Sequence, residues 1–183
     1  MSKPIKVLAI SGSLRAKSTN TGLVNYAQAH APTGMEITIA DIKELPFYNA
    51  DITEKPAAVQ TLLAQLAEAD ALLLACPEYN YSIAPALKNA LDWASREPNN
   101  ELLSGKPVAI MGSAAGMGSA RAQYHLRQVC VYLNLHPLNK PEVFCNAFAH
   151  TFDSNGVLTD ERIQGMIVEQ LVSLQAWVEQ LRK

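Results

Sequence analysis

The chain has 183 residues, of which 49% are hydrophobic and 17% are charged, a balance typical of a folded globular domain. Its formal net charge of −2 gives no basic surface for nucleic acid or anionic membranes, and no apolar segment approaches the roughly 20 residues that span a bilayer. We therefore expect one domain over residues 1–183, with neither a nucleic acid nor a membrane as partner.

The three cysteines, Cys76, Cys130 and Cys145, are widely spaced along the chain. An odd number at such spacing fits neither a disulfide framework nor a metal site, so we expect buried structural thiols and no metal. The N-terminal residues lack a signal-peptide cleavage region and run directly into an apolar segment. Both features indicate a cytoplasmic protein.

Apolar runs predict five strands along the chain. Three of the first four runs are almost continuously apolar, which is typical of strands buried on both faces, whereas Met35–Asp41 alternates as an edge strand does. The predicted strands are Ile5–Ser11, Met35–Asp41, Asp70–Cys76, Lys106–Ser113 and Glu142–Phe148.

Segments with helical periodicity separate these strands. The predicted helices are Thr21–Ala31, Ala57–Ala69, Pro85–Arg96, Ser119–Leu133 and Asp160–Leu181, the last opened by Thr159. Strand and helix alternate, so we expect a parallel sheet with helices on both faces, which binds ligands beyond the carboxyl ends of its strands. The apolar Leu87, Leu91 and Trp93 either face a partner or pack inside the subunit.

The first strand is followed by a segment rich in hydrogen-bond donors. A helix begins directly after it, so unpaired N–H groups and the positive end of the helix dipole face the same space. Hydroxyls, a guanidinium and free amides together are typical of a phosphate site, although the Walker and dinucleotide glycine patterns are both missing. A capped polar turn would explain one or two of these residues but not all of them. The candidates are Ser11, Ser13, Arg15, Ser18, Thr19, Asn20 and Thr21.

The third strand is followed by Pro77, at which the hydrogen-bonded pairing of the strand must stop. Tyr79 and Tyr81 then place aromatic rings beside the Asn80 amide. An apolar shelf with a few fixed polar groups suits a flat heteroaromatic ring. The alternative is an ordinary aromatic turn packed against its own helix.

The fourth strand is followed by the small residues of Gly112–Ala120. Small residues let the backbone approach a ligand closely and offer it N–H groups, although a turn that needs positive φ would also select them. All three loops fall at the carboxyl ends of strands. Their coincidence there predicts a single site for a phosphorylated, flat ligand.

Three stretches of sequence, "SGSLRAKSTN", "PEYNYSIAPALKNALDW" and "GSAAGMGSARAQYHLRQV", resemble the NAD(P)H-dependent FMN reductase family. This flavodoxin-like group includes bacterial quinone, chromate and azo-dye reductases. The resemblance runs from about Ile5 to Leu133, with the motifs in the family's order and spacing. One departure is Met117, which separates Gly116 from Gly118 where relatives often carry adjacent glycines.

The resemblance implies a flavodoxin-like three-layer sandwich, with a five-stranded parallel sheet in the order 2-1-3-4-5 and FMN bound non-covalently. It implies that the FMN phosphate is held by Ser13, Arg15, Ser18 and Asn20. It further implies that the isoalloxazine and ribityl groups lie along Pro77, Glu78, Tyr79 and Asn80, and that the segment from Ser113 to Gly116 flanks the ring's other edge. Relatives are usually homodimers or homotetramers with the flavin near a subunit interface.

The resemblance also implies an enzyme that passes hydride from NADPH or NADH to FMN, and then to an acceptor, by a ping-pong mechanism without a catalytic acid or base. Quinones, chromate, azo dyes and free flavin are the expected acceptors. An alternative is a flavodoxin-type electron carrier, against which the balance of 15 cations to 17 acids and the presence of Arg15 both argue. A flavin-free α/β binding module is a third interpretation.

Overall fold

The apolar runs of the sequence form the strands of the structure, a computed structural model that describes residues 3–182. The predicted domain limits, residues 1 and 183, lie outside the described residues, as does residue 2. The strands are β1 (Ile5–Ser11), β2 (Met35–Ile39), β3 (Ala71–Ala75), β4 (Glu78–Tyr79), β5 (Ser82–Ile83), β6 (Pro107–Ala114), β7 (His136–Pro137) and β8 (Val143–Asn146).

The main sheet is parallel, with the order β2-β1-β3-β6, and both β7 and β8 pair with the outer side of β6. Since β6 is the fourth predicted strand, and β7 and β8 together take the place of the fifth, this is the predicted order 2-1-3-4-5, with β2 at the edge. The fifth position differs in detail, because two short strands share it and β8 ends at Asn146, before the predicted limit of Phe148. Pro141 between the two strands has no N–H to donate, which is consistent with the interrupted pairing.

Five helices cover the two faces of this sheet among the described residues: α1 (Thr19–Ala29), α2 (Ala57–Glu68), α3 (Pro85–Ala94), α4 (Ala120–Tyr132) and α5 (Glu161–Leu181). Helix α1 begins two residues before the predicted Thr21, since the Ser18 hydroxyl caps it by accepting the Thr21 N–H at 3.3 Å. The predicted opener of α5, Thr159, is wrong. Asp160 caps that helix instead, because its carboxylate accepts the Ile163 N–H at 3.0 Å.

The strands divide their side chains between two hydrophobic cores, one on each face of the sheet. In β1, Leu8 and Ile10 join the core beneath α2, α3 and α4, whereas Val7 and Ala9 join the core beneath α1 and α5. This alternation follows from the two-residue period of a strand. Each fully buried leucine in these cores contributes about 1.5–3 kcal/mol of hydrophobic stabilisation.

Packing decides between the two readings of the third predicted helix. Leu87, Leu91 and Trp93 of α3 are all at most 2% exposed, so they pack inside the subunit. The Trp93 indole N–H donates to the Pro46 carbonyl at 2.8 Å, which satisfies the one polar group of that side chain.

The prediction of buried structural thiols is confirmed. Cys76, Cys130 and Cys145 are free and buried. Burial raises the pKa of the Cys76 and Cys130 thiols to about 12 and that of Cys145 to about 11. These thiols are therefore poor nucleophiles at neutral pH. Within residues 3–182, no helix has the length and apolar character needed to cross a membrane.

Candidate functional site

A cleft of about 360 Å³ lies at the carboxyl ends of the parallel strands. Its lining includes nine individually predicted candidates, Ser13, Arg15, Ser18, Thr19, Asn20, Pro77, Glu78, Tyr79 and Ser113. Ala114 and Ala115 of the predicted segment from Ser113 to Gly116 also line it, as do Ala147 and Phe148. Four predicted residues, Ser11, Thr21, Asn80 and Gly116, are not among its lining residues. The three loops that the sequence singled out do meet at one place.

A second cleft of about 420 Å³ shares Arg15 and Tyr79 with the first. Its other lining residues are Gly12, Leu14, Pro85 and Ala86, so its walls are largely apolar. Tyr79 is 44% exposed and stands on the boundary between the two clefts. The first cleft therefore contains the polar turn, by which we mean residues 12–18 between β1 and α1, and adjoins the apolar second cleft. This combination suits a ligand with a charged end and a flat end.

Ser11 and Thr21 brace the polar turn from behind. Their hydroxyl oxygens lie 3.1 Å apart and bond to each other, and the Ser11 hydroxyl also accepts the Ser13 N–H at 3.4 Å. These contacts join the end of β1 to the first turn of α1. Both hydroxyls are thus engaged within the protein, which agrees with their absence from the cleft lining.

Asn20 is buried and its amide is used internally. The amide NH₂ group donates to the Ser113 carbonyl at 2.8 Å, and the amide oxygen accepts the Ser113 N–H at 3.0 Å. This pair of bonds ties the first turn of α1 to the end of β6, across 93 positions of sequence. The Asn20 side chain therefore positions the cleft walls, a role that the sequence did not indicate.

The Ser113 hydroxyl is the unsatisfied polar group of the cleft. Ser113 is 2% exposed, and among the described residues its Oγ has no partner stronger than the neighbouring Cys145 thiol, a weak hydrogen-bonding group. A buried hydroxyl left without a partner costs about 1–3 kcal/mol. A polar ligand that reached it from the cleft would remove this cost.

Arg15 is the free cation of the cleft. It is exposed and makes no hydrogen bond or ion pair within residues 3–182. The first N–H groups of α1, which have no helical carbonyl to bond, lie in the same turn. A guanidinium, the Ser13 hydroxyl and helix N–H groups are together the donors that a phosphate requires.

The loop after β3 is held in place by α4. The Glu78 carboxylate accepts from the Arg121 Nε at 2.6 Å and from the Ala122 N–H at 3.3 Å, so it joins the loop to the first turn of α4. Arg121 also lies 3.7 Å above the centre of the Tyr81 ring. Its bond to Glu78 raises the pKa of the Arg121 guanidinium.

Asn80 and Tyr81 form the turn between β4 and β5. Their φ angles are +50° and +67°, which is the backbone of a tight two-residue hairpin turn. Both side chains are exposed on this turn. The hairpin thus presents Tyr79 to the clefts while Asn80 lies outside their lining.

In the loop after β6, the glycine that packing demands is Gly118. Its φ is +59°, and a Cβ there would lie 2.7 Å from backbone atoms of Phe144 and Cys145. A Cβ on Gly116 would have no atom within 4 Å. The alternative explanation of this loop, a turn that needs positive φ, is therefore correct for Gly118. Close packing does not explain the glycine at position 116.

The segment after β8 is a wall of the cleft that the sequence interpretation missed. The Ala147 N–H donates to the Ala114 carbonyl at 2.7 Å, so this segment continues along the end of β6. Phe148 then lies at the rim of the cleft and is 79% exposed. Ligands bind beyond the carboxyl ends of parallel strands, a rule that would have indicated both residues if they had not lain inside the predicted strand Glu142–Phe148. The shorter β8 exposes them.

A parallel sheet with a donor-rich turn after its first strand and an aromatic loop after its third defines a flavodoxin-like flavoprotein. Residues 5–150 match the NADPH-dependent FMN reductase family, and the chain belongs to that family. The predicted family, fold class, enzymatic oxidoreductase activity, and use of FMN and NAD(P)H are confirmed. Membership favours an enzyme over an electron carrier or a flavin-free module.

Named relatives match over at least 97% of the chain. An NAD(P)H-dependent FMN reductase of Pseudomonas aeruginosa is 52% identical, with 100% of both chains covered. An NAD(P)H:quinone oxidoreductase of Solanum tuberosum is 47% identical, covering 97% of this chain and 95% of the relative. A quinone reductase of Escherichia coli is 36% identical, with both chains fully covered.

A solved structure shows the same fold. FerB, a flavoenzyme NAD(P)H:(acceptor) oxidoreductase from Paracoccus denitrificans, superposes with a TM-score of 0.86 at 30% identity. The superposition covers 96% of this chain and 98% of FerB.

Proposed function

We propose that the protein reduces quinones, and other small acceptors such as chromate, azo dyes or free flavin, with electrons from NADPH or NADH. The observation that carries this proposal is the meeting of a polar turn and an aromatic, apolar shelf in one cleft. The names of the potato and Escherichia coli relatives, an NAD(P)H:quinone oxidoreductase and a quinone reductase, support a quinone as acceptor.

The residues of the cleft fit FMN. Its phosphate would be held by Ser13, Arg15, Ser18 and the N–H groups of α1, with Asn20 acting through Ser113. Its ring would lie between the Pro77–Tyr79 segment and the Ser113–Ala115 segment. The unsatisfied Ser113 hydroxyl supports this placement, because a flavin carries polar ring atoms that could bond to it.

The protein's part in the reaction is to bind and orient. FMN, when bound, supplies the hydride-accepting and hydride-donating chemistry. The carboxylate in the cleft lining, that of Glu78, accepts from Arg121 and Ala122, so its part is to hold the loop after β3 against α4. The hairpin, tied to α4 through Glu78, fixes the backbone that carries Tyr79, which lowers the entropy cost of stacking a flat group on it.

The nicotinamide and the acceptor would occupy the same space in turn. Tyr79 borders both clefts, and the second cleft, of about 420 Å³, has the largely apolar walls that suit a planar ring system. Sequential use of one space gives ping-pong kinetics. We also propose that the chain acts as one domain in the cytoplasm and as a homodimer or homotetramer; the free, buried thiols support a reducing compartment.

The phosphate assignment is tested with Arg15→Ala. Loss of a charge-assisted bond to phosphate should weaken FMN binding by about 1.5–3 kcal/mol, which is about 10- to 150-fold in Kd. Riboflavin has no phosphate, so its Kd should change little. Because Arg15 is exposed and makes no hydrogen bond or ion pair with a described residue, the free energy of unfolding of the apoprotein should change little.

Isothermal calorimetry measures both Kd values, and Lys17→Ala is the matched control, since Lys17 is an exposed cation of the same turn that does not line the clefts. An unchanged FMN affinity in Arg15→Ala would contradict the phosphate site. Initial rates at varied NADPH and benzoquinone test the shared space. Parallel double-reciprocal lines are expected, and intersecting lines would contradict sequential use of one space.

A further inference from the structure

A short hairpin between β8 and α5 lies against the polar turn. Phe152 and Leu158 form an antiparallel bridge, and we call residues 152–158 the 152–158 hairpin. Leu158 is buried in the core beneath α1 and α5, so the base of the hairpin is fixed by packing. The Thr151 carbonyl adds three bonds at this base. It accepts the Thr159 N–H at 2.9 Å, the Asp160 N–H at 3.3 Å and the Thr159 hydroxyl at 3.3 Å.

The turn of the hairpin is organised by Asp153. Its Oδ1 accepts the Asn155 N–H at 2.8 Å and the Val157 N–H at 2.9 Å, while its carbonyl accepts the Gly156 N–H at 3.1 Å. Three bonds from one residue fix a turn of this length. Gly156 has a φ of +81°, a conformation that glycine adopts without strain. The hairpin therefore presents the Gly156 backbone in one defined place.

The Gly156 backbone touches the chain at two points, Gly22 of α1 and the end of the polar turn at Lys17 and Ser18. A Cβ on Gly22 of α1 would lie 2.0 Å from the Gly156 carbonyl oxygen, so that oxygen sits directly over the Gly22 backbone. A Cβ on Gly156 would lie 3.0 Å from the carbonyl of Lys17, and the Ser18 carbonyl is 3.2 Å away. The hairpin tip is thus seated between the end of the polar turn and the first helical turns.

The first turns of α1 are consequently held from two sides. Asn20 ties them to β6 through Ser113, and Gly156 blocks their movement through Gly22 and Ser18. Ser18 is the helix cap and also lines the cleft. A shift of the hairpin would therefore move Ser18, although no residue of the hairpin itself lines the cleft.

We propose that the 152–158 hairpin is a positioning element for the phosphate-binding turn, acting through the contact between Gly156 and Gly22. The proposal rests on the proposed FMN phosphate site. A purely structural hairpin would affect the affinity for every flavin alike. A positioning hairpin affects the ligand that carries a phosphate and spares the one that lacks it.

The test compares the Kd values of FMN and riboflavin for the full-length apoprotein by calorimetry. In Gly22→Ala, the new methyl group must displace the Gly156 carbonyl. The ratio of riboflavin Kd to FMN Kd should fall on the order of tenfold to a hundredfold, with the riboflavin Kd almost unchanged. Gly165→Ala is the matched control, because it also replaces a helical glycine and its Cβ would meet no atom within 4 Å. It should keep the wild-type ratio.

A second variant covers the case in which Gly22→Ala does not fold. Asp153→Ala adds no bulk and removes the acceptor of two turn N–H groups, so it should lower the same ratio in a folded protein. A wild-type ratio in the folded variants would overturn the proposal, and so would equal losses of FMN and riboflavin affinity. If wild-type protein binds both flavins equally, the phosphate site itself fails, an outcome visible before any variant is made.

Discussion

Replacing Asn20 with alanine should separate the positioning role of this residue from that of a direct phosphate ligand. The change removes both bonds between the Asn20 amide and the Ser113 backbone, of 2.8 and 3.0 Å. It leaves the Ser113 N–H and carbonyl without these partners. Ser113 is 2% exposed, so water can satisfy those groups only if the end of β6 opens.

The magnitude follows from the two groups that lose their partners. A buried polar group without a partner costs about 1–3 kcal/mol, so the free energy of unfolding should fall by about 2–5 kcal/mol, with some relief from relaxation. For a chain of this size, about 1 kcal/mol shifts Tm by about 2–4 °C. The Tm of Asn20→Ala should therefore drop by about 4–20 °C.

The assay is thermal unfolding of the apoprotein followed by circular dichroism. Asn25→Ala is the matched control: Asn25 lies on the same helix, is exposed, and makes no side-chain hydrogen bond among residues 3–182. Its Tm should stay close to that of the wild type or rise slightly, because alanine is the better helix former. An apoprotein Tm for Asn20→Ala equal to that of the control, together with a weaker FMN affinity, would refute the positioning role and restore Asn20 as a direct ligand.

Three further predictions concern parts of the molecule away from the flavin phosphate. Burial raises the pKa of Asp70, but bonds from the Lys6 N–H and from Arg182 outweigh it and hold that pKa below its usual value. The stabilising effect of Asp70 is present above the unfolded pKa of about 4 and is lost as the pH falls through the folded pKa. Asp70→Asn should therefore lower the free energy of unfolding, measured by urea denaturation, more at pH 7 than at pH 3. Equal losses at the two pH values would contradict the lowered pKa. The three buried thiols, with pKa values raised to about 11 or 12, should resist Ellman's reagent at pH 8 until urea is added, and rapid labelling of native protein would contradict their burial. Gly118→Ala should lower the free energy of unfolding by at least about 1–2 kcal/mol, since it combines positive φ with a clash; unchanged urea denaturation would show that the loop relaxes at no cost.

The sheet and its layers could be predicted from the sequence because their signals are local. The continuous apolar runs of β1, β3 and β6 indicate burial on both faces, and alternation in β2 indicates an edge. The strand-end rule then brought three loops together correctly. The division of the fifth position between β7 and β8 was not predictable, because it depends on which residues pair with β6 and not on apolar content.

Within the site, sequence indicated which loops meet but not which way each polar side chain turns. Asn20 bonds to a backbone 93 positions away, and Glu78 is taken by Arg121, 43 positions away. Such pairs leave no trace in local spacing. The contact between Gly22 and Gly156 was likewise not predictable, since two glycines far apart in sequence do not reveal that their backbones lie against each other.

The most direct test of the central claim is anaerobic stopped-flow absorbance at the flavin band. Protein loaded with FMN is mixed first with NADPH or NADH and then with benzoquinone. We expect rapid bleaching with at least one nucleotide and full return of the absorbance with the quinone, in amounts equal to the bound flavin. A bound flavin that neither nucleotide reduces would contradict an NAD(P)H-dependent reductase and would instead fit an electron carrier reduced by another protein.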